Sequence, residues 1–137
     1  MRASLHNPVL SVVVPCYNEE AGLEEFHRRV SAVCKTNVGA SFEIVFINDG
    51  STDNSLSLLN GIADQDPHVV VVDLARNFGQ QVALSAGLEL CRGARILILD
   101  ADLQDPPELL EQMMAAMDAG SDVVYGQRRK REGASRL

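Results

Sequence analysis

Ile96-Leu97-Ile98-Leu99-Asp100-Ala101-Asp102-Leu103-Gln104 sets four consecutive apolar residues directly against a pair of acids. A short apolar run without alternation is the pattern of a strand buried on both faces, as in a parallel sheet. Acids placed immediately after such a strand stand where open α/β sheets bind ligands, beyond the carboxyl ends of the strands. In an extended chain alternate side chains share a face. That groups Asp100, Asp102 and Gln104, with Ala101 and Leu103 opposite. Close carboxylates repel one another unless a cation lies between them. Oxygen ligands suit Mg²⁺ or Mn²⁺, ions usually shared with substrate phosphates. The plainer alternative is a pair of solvated loop acids, since Asp-x-Asp alone is a weak motif.

Working outward, the same kind of run recurs at Leu10–Val14, Phe42–Ile47, Val69–Val72 and Val123–Tyr125. Helical stripes separate the runs: Leu23, Phe26, Val30 and Val33; then Leu56, Leu59 and Ala63; then Val82, Ala86 and Leu90; then Leu110, Met113, Met114 and Met117. The last follows Pro106 and Pro107, which suit a helix start, and its methionines read as core rather than as a cofactor or partner site. Strict β-α alternation predicts an α/β, Rossmann-like three-layer domain with a mostly parallel sheet and right-handed crossovers. The expected domain is 1–128, incomplete at its C-terminus, followed by a basic tail at 129–137.

Each run ends in polar residues that the topology would gather at one sheet edge. Pro15-Cys16-Tyr17-Asn18-Glu19-Glu20 follows the first and Asn48-Asp49-Gly50-Ser51-Thr52-Asp53 the second. Asp49 is placed to accept from a ribose or a base N–H, or to make an Asx-turn. Asp53 reads as a helix cap, and Glu19 and Glu20 as acids favouring the start of the first helix. Arg76-Asn77-Phe78-Gly79 precedes the third helix, where backbone N–H groups favour an anion; a simple loop fits equally well.

Composition narrows the classes. Of 137 residues, 46% are hydrophobic and 23% charged, ordinary for one globular domain with a core. The net charge of -7 and 4% aromatics speak against nucleic acid as a partner. The cations Arg128, Arg129, Lys130, Arg131 and Arg136 cluster at the end, where they suit an anionic lipid surface or a solvated terminus. Cys16, Cys34 and Cys91 match neither a disulfide framework nor a zinc site, and read as reduced, buried thiols. His6, His27 and His68 lie far apart and form no nucleophile–His–acid arrangement. No apolar run is long enough to span a membrane. A Gly-rich turn after the first strand, which a Rossmann oxidoreductase needs, is absent. Asp-x-Asp after the fourth strand rather than the first disfavours a haloacid-dehalogenase-type phosphotransferase. A receiver domain would need paired acids where Pro15 and Cys16 stand.

Taken together and in order, VVVPCYNEE, FINDGSTDNS, ARNFGQQVALSAGL, LDADLQDPPE and VVYGQR resemble family 2 glycosyltransferases of the GT-A fold. Within that family they are similar to the polyprenyl-phosphate glycosyltransferases, the group of dolichyl-phosphate mannose synthases and bactoprenol glucosyltransferases. The resemblance covers Leu10 to Arg128. It implies that Pro15, Tyr17, Glu19, Asp49, Asp100, Ala101 and Asp102 bind the nucleotide-sugar. It implies that Asp102 and Gln104 hold Mg²⁺ or Mn²⁺ against the diphosphate. Asp100, Asp102 and Arg128 become the catalytic candidates, Arg128 as a cation near donor or acceptor phosphate. The implied reaction moves a sugar from a UDP- or GDP-sugar, with UDP-glucose favoured, to a polyprenyl phosphate with inversion. The expected location is the cytoplasmic face of a membrane. A nucleotide-sugar-binding module without turnover is the alternative, and oligomeric state, a homo-oligomer included, is left open.

Overall fold

Parallel pairing runs through every strand of the computed structural model, which describes residues 7–102, 107–120 and 123–126. The elements are β1 (Leu10–Cys16), α1 (Leu23–Val38), β2 (Phe42–Asn48), α2 (Ser55–Gln65), β3 (Val69–Asp73), α3 (Gln80–Leu90), β4 (Arg95–Leu99), α4 (Pro107–Asp118) and β5 (Val123–Gly126). They form one sheet in the order β3-β2-β1-β4-β5. This is the expected α/β architecture, a GT-A, Rossmann-like domain.

Both sheet faces are covered, which is why the strands show no apolar–polar alternation. Leu10, Val12, Val14, Ile44, Phe46, Leu97 and Leu99 face one core, shared with Leu23, Phe26 and Val30 of α1, Leu59 of α2 and Met114 and Met117 of α4. Val13, Val45, Ile47 and Ile98 face a smaller core under α3. The methionine stripe is thus core, as expected; the side chain of Leu110 lies outside the described residues. Helices α1 and α4 share a face although β1→β2 and β4→β5 step in opposite directions along the sheet. The two units therefore have opposite hands, and the right-handed rule expected of every crossover fails for one of them.

Helix α3 also corrects the sequence reading. Val82 and Leu90, predicted to face the core, are 46% and 57% exposed, while Ala83 and Gly87 are buried. A Cβ on Gly87 would lie 2.6 Å from Ile47 Cδ1 and 2.7 Å from Val13 Cγ1. The helix backbone comes this close to β1 and β2 because its inward residues are its smallest, a packing choice that a search for large apolar residues misses.

Two polar pairings brace the layers away from the carboxyl ends of the strands. Glu43, buried near the start of β2, accepts from Ser11 Oγ–H (2.6 Å) and from the Arg92 N–H (2.7 Å). A buried carboxylate persists only when so satisfied. Between α1 and the end of α2, His27 Nε2 sits 2.7 Å from Asp66 Oδ2. Burial pushes the Asp66 carboxyl up, but the His27 hydrogen bond and the His68 backbone N–H outweigh it, so its pKa lies below the usual carboxylate value. A lowered folded pKa contributes stability that is present above the unfolded value of about 3.9 and is lost as pH falls through the folded one. Asp66→Asn is therefore expected to cost about 1–2 kcal/mol at pH 7 and to flatten the stability loss of the wild type below about pH 4. Urea denaturation across that range measures both; a variant with wild-type stability at pH 7 contradicts the assignment.

Candidate nucleotide-sugar and metal site

The sheet opens where its strand order reverses. Chain progression runs outward from β1 through β2 to β3, then crosses back to β4 on the other side of β1. The β1–β4 ladder ends at Val13↔Ile98, whereas β1 stays paired with β2 as far as Cys16↔Asn48. Pro15 stands in the stretch that β4 has left, where its missing N–H breaks no bond to that strand. The crevice between these two strands is the place where open α/β sheets bind ligands.

A cleft of about 330 Å³ occupies that place, lined by Pro15, Cys16, Tyr17, Glu19, Asp49, Asn77, Gly79, Gln80, Asp100, Ala101 and Asp102. Every site residue expected from the sequence and lying within the described residues is in this lining: Pro15, Tyr17, Glu19, Asp49, Asp100, Ala101 and Asp102. Gln104 and Arg128 lie outside the described residues. Cys16, Asn77, Gly79 and Gln80 complete the wall without having been singled out as ligand-binding residues. Asn77 and Gly79 belong to the stretch whose sequence suits an anion site or a simple loop. Gln80 carried the same signal, its place at the start of the helix after β3. His27 and His68 take no part, for they pair with Asp66 and with the Phe42 carbonyl.

The acid turn is reached by a different route from the one expected. Strand β4 ends at Leu99, and Ala101 and Asp102 lie in a turn, so strand alternation does not align the acids. The turn itself directs both into the cleft, while Ala101 also packs on the larger core. Gln80 Nε2 reaches Asp100 Oδ1 at 3.5 Å, joining this turn to the start of α3.

Asp49 forms the buried floor. Its carboxylate accepts the backbone N–H groups of Phe78 (2.8 Å) and Gly79 (3.0 Å), and Asn77 Nδ2 lies 3.4 Å from it. The anion at the start of α3 is thus the protein's own. Ionised carboxylates offer about four lone-pair sites, which leaves capacity for a ligand donor. Close approach of the β2 and β3 loops depends on Gly50, whose φ is +70°. A Cβ there would meet the Asn77 backbone nitrogen at 2.2 Å.

Neighbouring loops are bound to each other as well. The N-cap of α2 is Asn54 rather than the expected Asp53. Asp53, one residue earlier, accepts from the Ser55 N–H (2.9 Å) and from the Glu20 N–H (3.2 Å), so it joins the two loops instead of capping the helix. Glu20 in turn accepts the Asn54 N–H (2.9 Å), so its carboxylate serves α2 as well as standing before α1. The Cys16 thiol, at the cleft wall, is pushed up by burial and secondarily by Glu19, and Cys34 is pushed up by burial to about 12. Neither is a ready thiolate at neutral pH.

Four carboxylates line the cleft, and no Lys, Arg or His is among its described lining residues. Nor do three or more Asp, Glu, His or Cys side chains converge as a protein-only cage among the described residues. Two acids on one turn beside an open cleft nevertheless fit a hard divalent cation. Mg²⁺-type ions commonly take one or two carboxylates and complete their shell with phosphate and water.

This fold and cleft belong to a known class. The sequence model of glycosyl transferase family 2 matches residues 11–137, and the chain belongs to that family. Over 123 residues, 90% of this chain and 38% of the relative, it is 43% identical to an uncharacterized glycosyltransferase, YkcC, of Bacillus subtilis. It is 44% identical over 127 residues to an undecaprenyl-phosphate 4-deoxy-4-formamido-L-arabinose transferase of Pseudomonas fluorescens, covering 92% of this chain and 37% of that one. The chain thus spans little more than a third of the curated relatives it matches. Among solved structures, a mannosyltransferase of Pyrobaculum calidifontis in complex with GDP-Man and Mn²⁺ superposes with a TM-score of 0.65 at 27% identity, over 77% of this chain and 31% of that one. TarS 1-349 of S. aureus, in complex with UDP-GlcNAc, gives 0.62 at 27% identity, over 80% and 31%.

Gly50→Ala is expected to destabilise the fold by about 1–3 kcal/mol, through backbone strain and loss of the Asn77 contact. It should also shift the amide resonances of Asn77, Phe78 and Gly79. Wild-type urea stability with unmoved resonances would show that the two loops do not depend on this contact.

Proposed function

We propose that the chain is the donor-binding part of a metal-dependent, inverting glycosyltransferase that passes a sugar from a nucleotide-sugar to a polyprenyl phosphate. The carrying observation is the cleft itself: Glu19, Asp49, Asp100 and Asp102 at a sheet switch point, with no cationic side chain among the described lining residues. A nucleoside diphosphate enters such a wall only together with a cation that screens its charge. The relative named for undecaprenyl phosphate and the neighbours solved with GDP-Man and UDP-GlcNAc support donor and acceptor of these classes.

Roles follow from position. Pro15, Tyr17 and Glu19 flank the nucleoside, and Asp49 accepts from its ribose or base N–H. Asp102, with Asp100 beside it, would hold Mg²⁺ or Mn²⁺ against the diphosphate, Gln104 being the further ligand implied by the family pattern. When bound, the ion supplies charge neutralisation for the leaving nucleoside diphosphate. Arg128 is the cation assigned to donor or acceptor phosphate. An acceptor phosphate oxygen attacks the anomeric carbon as the bond to the nucleoside diphosphate breaks, which inverts that centre. With a second pKa of about 6, a phosphate monoester is largely ionised at neutral pH. A strong general base is therefore less necessary than for a sugar hydroxyl, and Asp100 and Asp102 act first as binding groups. A lipid-linked acceptor places the reaction at a membrane surface, its cytoplasmic face being where the donor is expected. UDP-sugars are the favoured donors, UDP-glucose among them.

Calorimetry tests the donor site. UDP or GDP is expected to bind at least about tenfold more tightly with Mn²⁺ or Mg²⁺ than with chelator, and Asp102→Ala to abolish the difference. Metal-independent affinity, or an unaffected variant, contradicts the reading. The roles proposed for the described lining all concern the donor, so a nucleotide-sugar-binding module without turnover is the second reading. Sugar transfer from donor to polyprenyl phosphate distinguishes the two.

A further inference from the structure

We infer that Asn18 is a positioning residue for the nucleotide, acting through a latch between the loops after β1 and β2; the inference rests on the donor-site reading. Asn18 is the one non-glycine residue with positive φ among the described residues, at 55°. Asparagine tolerates this region better than most residues, but the conformation still needs support from its surroundings. Here the support is long-range. Asn18 Oδ1 accepts the backbone N–H groups of Thr52 (2.8 Å) and Asp53 (3.3 Å) and lies 3.3 Å from Thr52 Oγ1. Its own N–H donates to Ser51 Oγ at 2.9 Å. One residue on, the Glu19 N–H donates to Ser55 Oγ at 2.9 Å, and Ser55 is fully buried.

The consequence falls on the residues either side. Tyr17 and Glu19 line the cleft; Asn18 between them does not. A left-handed residue reverses the local chain direction, so its φ decides where the side chains before and after it project. The bonds to residues 51–55 hold that φ and tie the Tyr17–Glu19 wall to the loop that begins at Asp49. Asp49 is itself fixed to the next loop through Phe78 and Gly79. Nucleoside binding then meets walls ordered beforehand, and the cost of ordering them does not reduce affinity.

Three variants test this by calorimetry with UDP or GDP and Mn²⁺. Asn18→Gly keeps the left-handed backbone accessible but deletes the acceptor, Asn18→Ala deletes the acceptor and disfavours that backbone as well, and Ser55→Ala removes the bond to Glu19 from the other side. Asn18→Gly and Asn18→Ala are expected to weaken nucleotide about tenfold and Ser55→Ala about threefold, with increased hydrogen exchange at the Thr52 amide in both Asn18 variants. Asp66→Asn, which loosens α1 against α2 away from the cleft, serves as the control for general destabilisation and should leave affinity within twofold. Wild-type affinity in a folded Asn18→Gly overturns the inference alone. Should Asn18→Gly fail to fold, unchanged affinity in Ser55→Ala overturns it. Absence of binding by the wild type overturns the donor-site reading and this inference with it.

Discussion

Asp49 sits at the end of a fully buried strand, and its carboxylate is buried with it. Leaving such a group unsatisfied in a protein interior costs several kcal/mol. The chain meets that demand with the N–H groups of Phe78 and Gly79, about thirty residues further on. Much of the cleft follows from this contact. It fixes the start of α3, brings Asn77, Gly79 and Gln80 to the wall, and demands at residue 50 a glycine whose missing Cβ leaves room for the Asn77 backbone. Asn18 extends the same logic to the first loop. The rim is built by loops satisfying one another's backbone donors, so the wall is ordered before a ligand arrives.

Against this wall the acids after β4 have a different task. Asp100 and Asp102 add negative charge to a cleft already holding Glu19 and Asp49. Proteins gather like charge in this way where a cation or a proton is to be bound. A diphosphate brings further negative charge, so ligand and ion are expected to enter as a pair. On the proposed function the division of labour is spatial: the loops of β1, β2 and β3 would recognise the nucleoside, and the turn after β4 would receive the diphosphate and its ion.

Much of this was legible in the sequence because burial on both faces leaves a plain mark. Runs such as Phe42–Ile47 and Ile96–Leu99 announced a parallel sheet, and position relative to those runs singled out Asp49, Asp100 and Asp102. What the sequence hid has specific causes. The buried face of α3 is made by Ala83 and Gly87, which carry little hydrophobic signal, so the eye goes to Val82 and Leu90. The acids after Leu99 share the cleft through a turn rather than through strand alternation. In the sequence Asn18 is one polar loop residue among several. Its significance lies in a positive φ and in partners some 34 positions away, and neither leaves a local pattern. Glu43 is inconspicuous inside an otherwise apolar strand, since its partners Ser11 and Arg92 are equally remote in sequence.

The central claim is that one cleft binds a divalent ion and a nucleoside diphosphate together. Paramagnetic broadening by Mn²⁺ in the presence of UDP or GDP reads this directly in the backbone amide spectrum. The account predicts loss of the Ala101 and Asp102 signals first, then those of Gly79, Gln80 and Tyr17, with Glu43 and Arg92 at the far end of the sheet left sharp. Broadening centred elsewhere, or broadening of Ala101 and Asp102 that the nucleotide neither strengthens nor extends toward Tyr17, would contradict it.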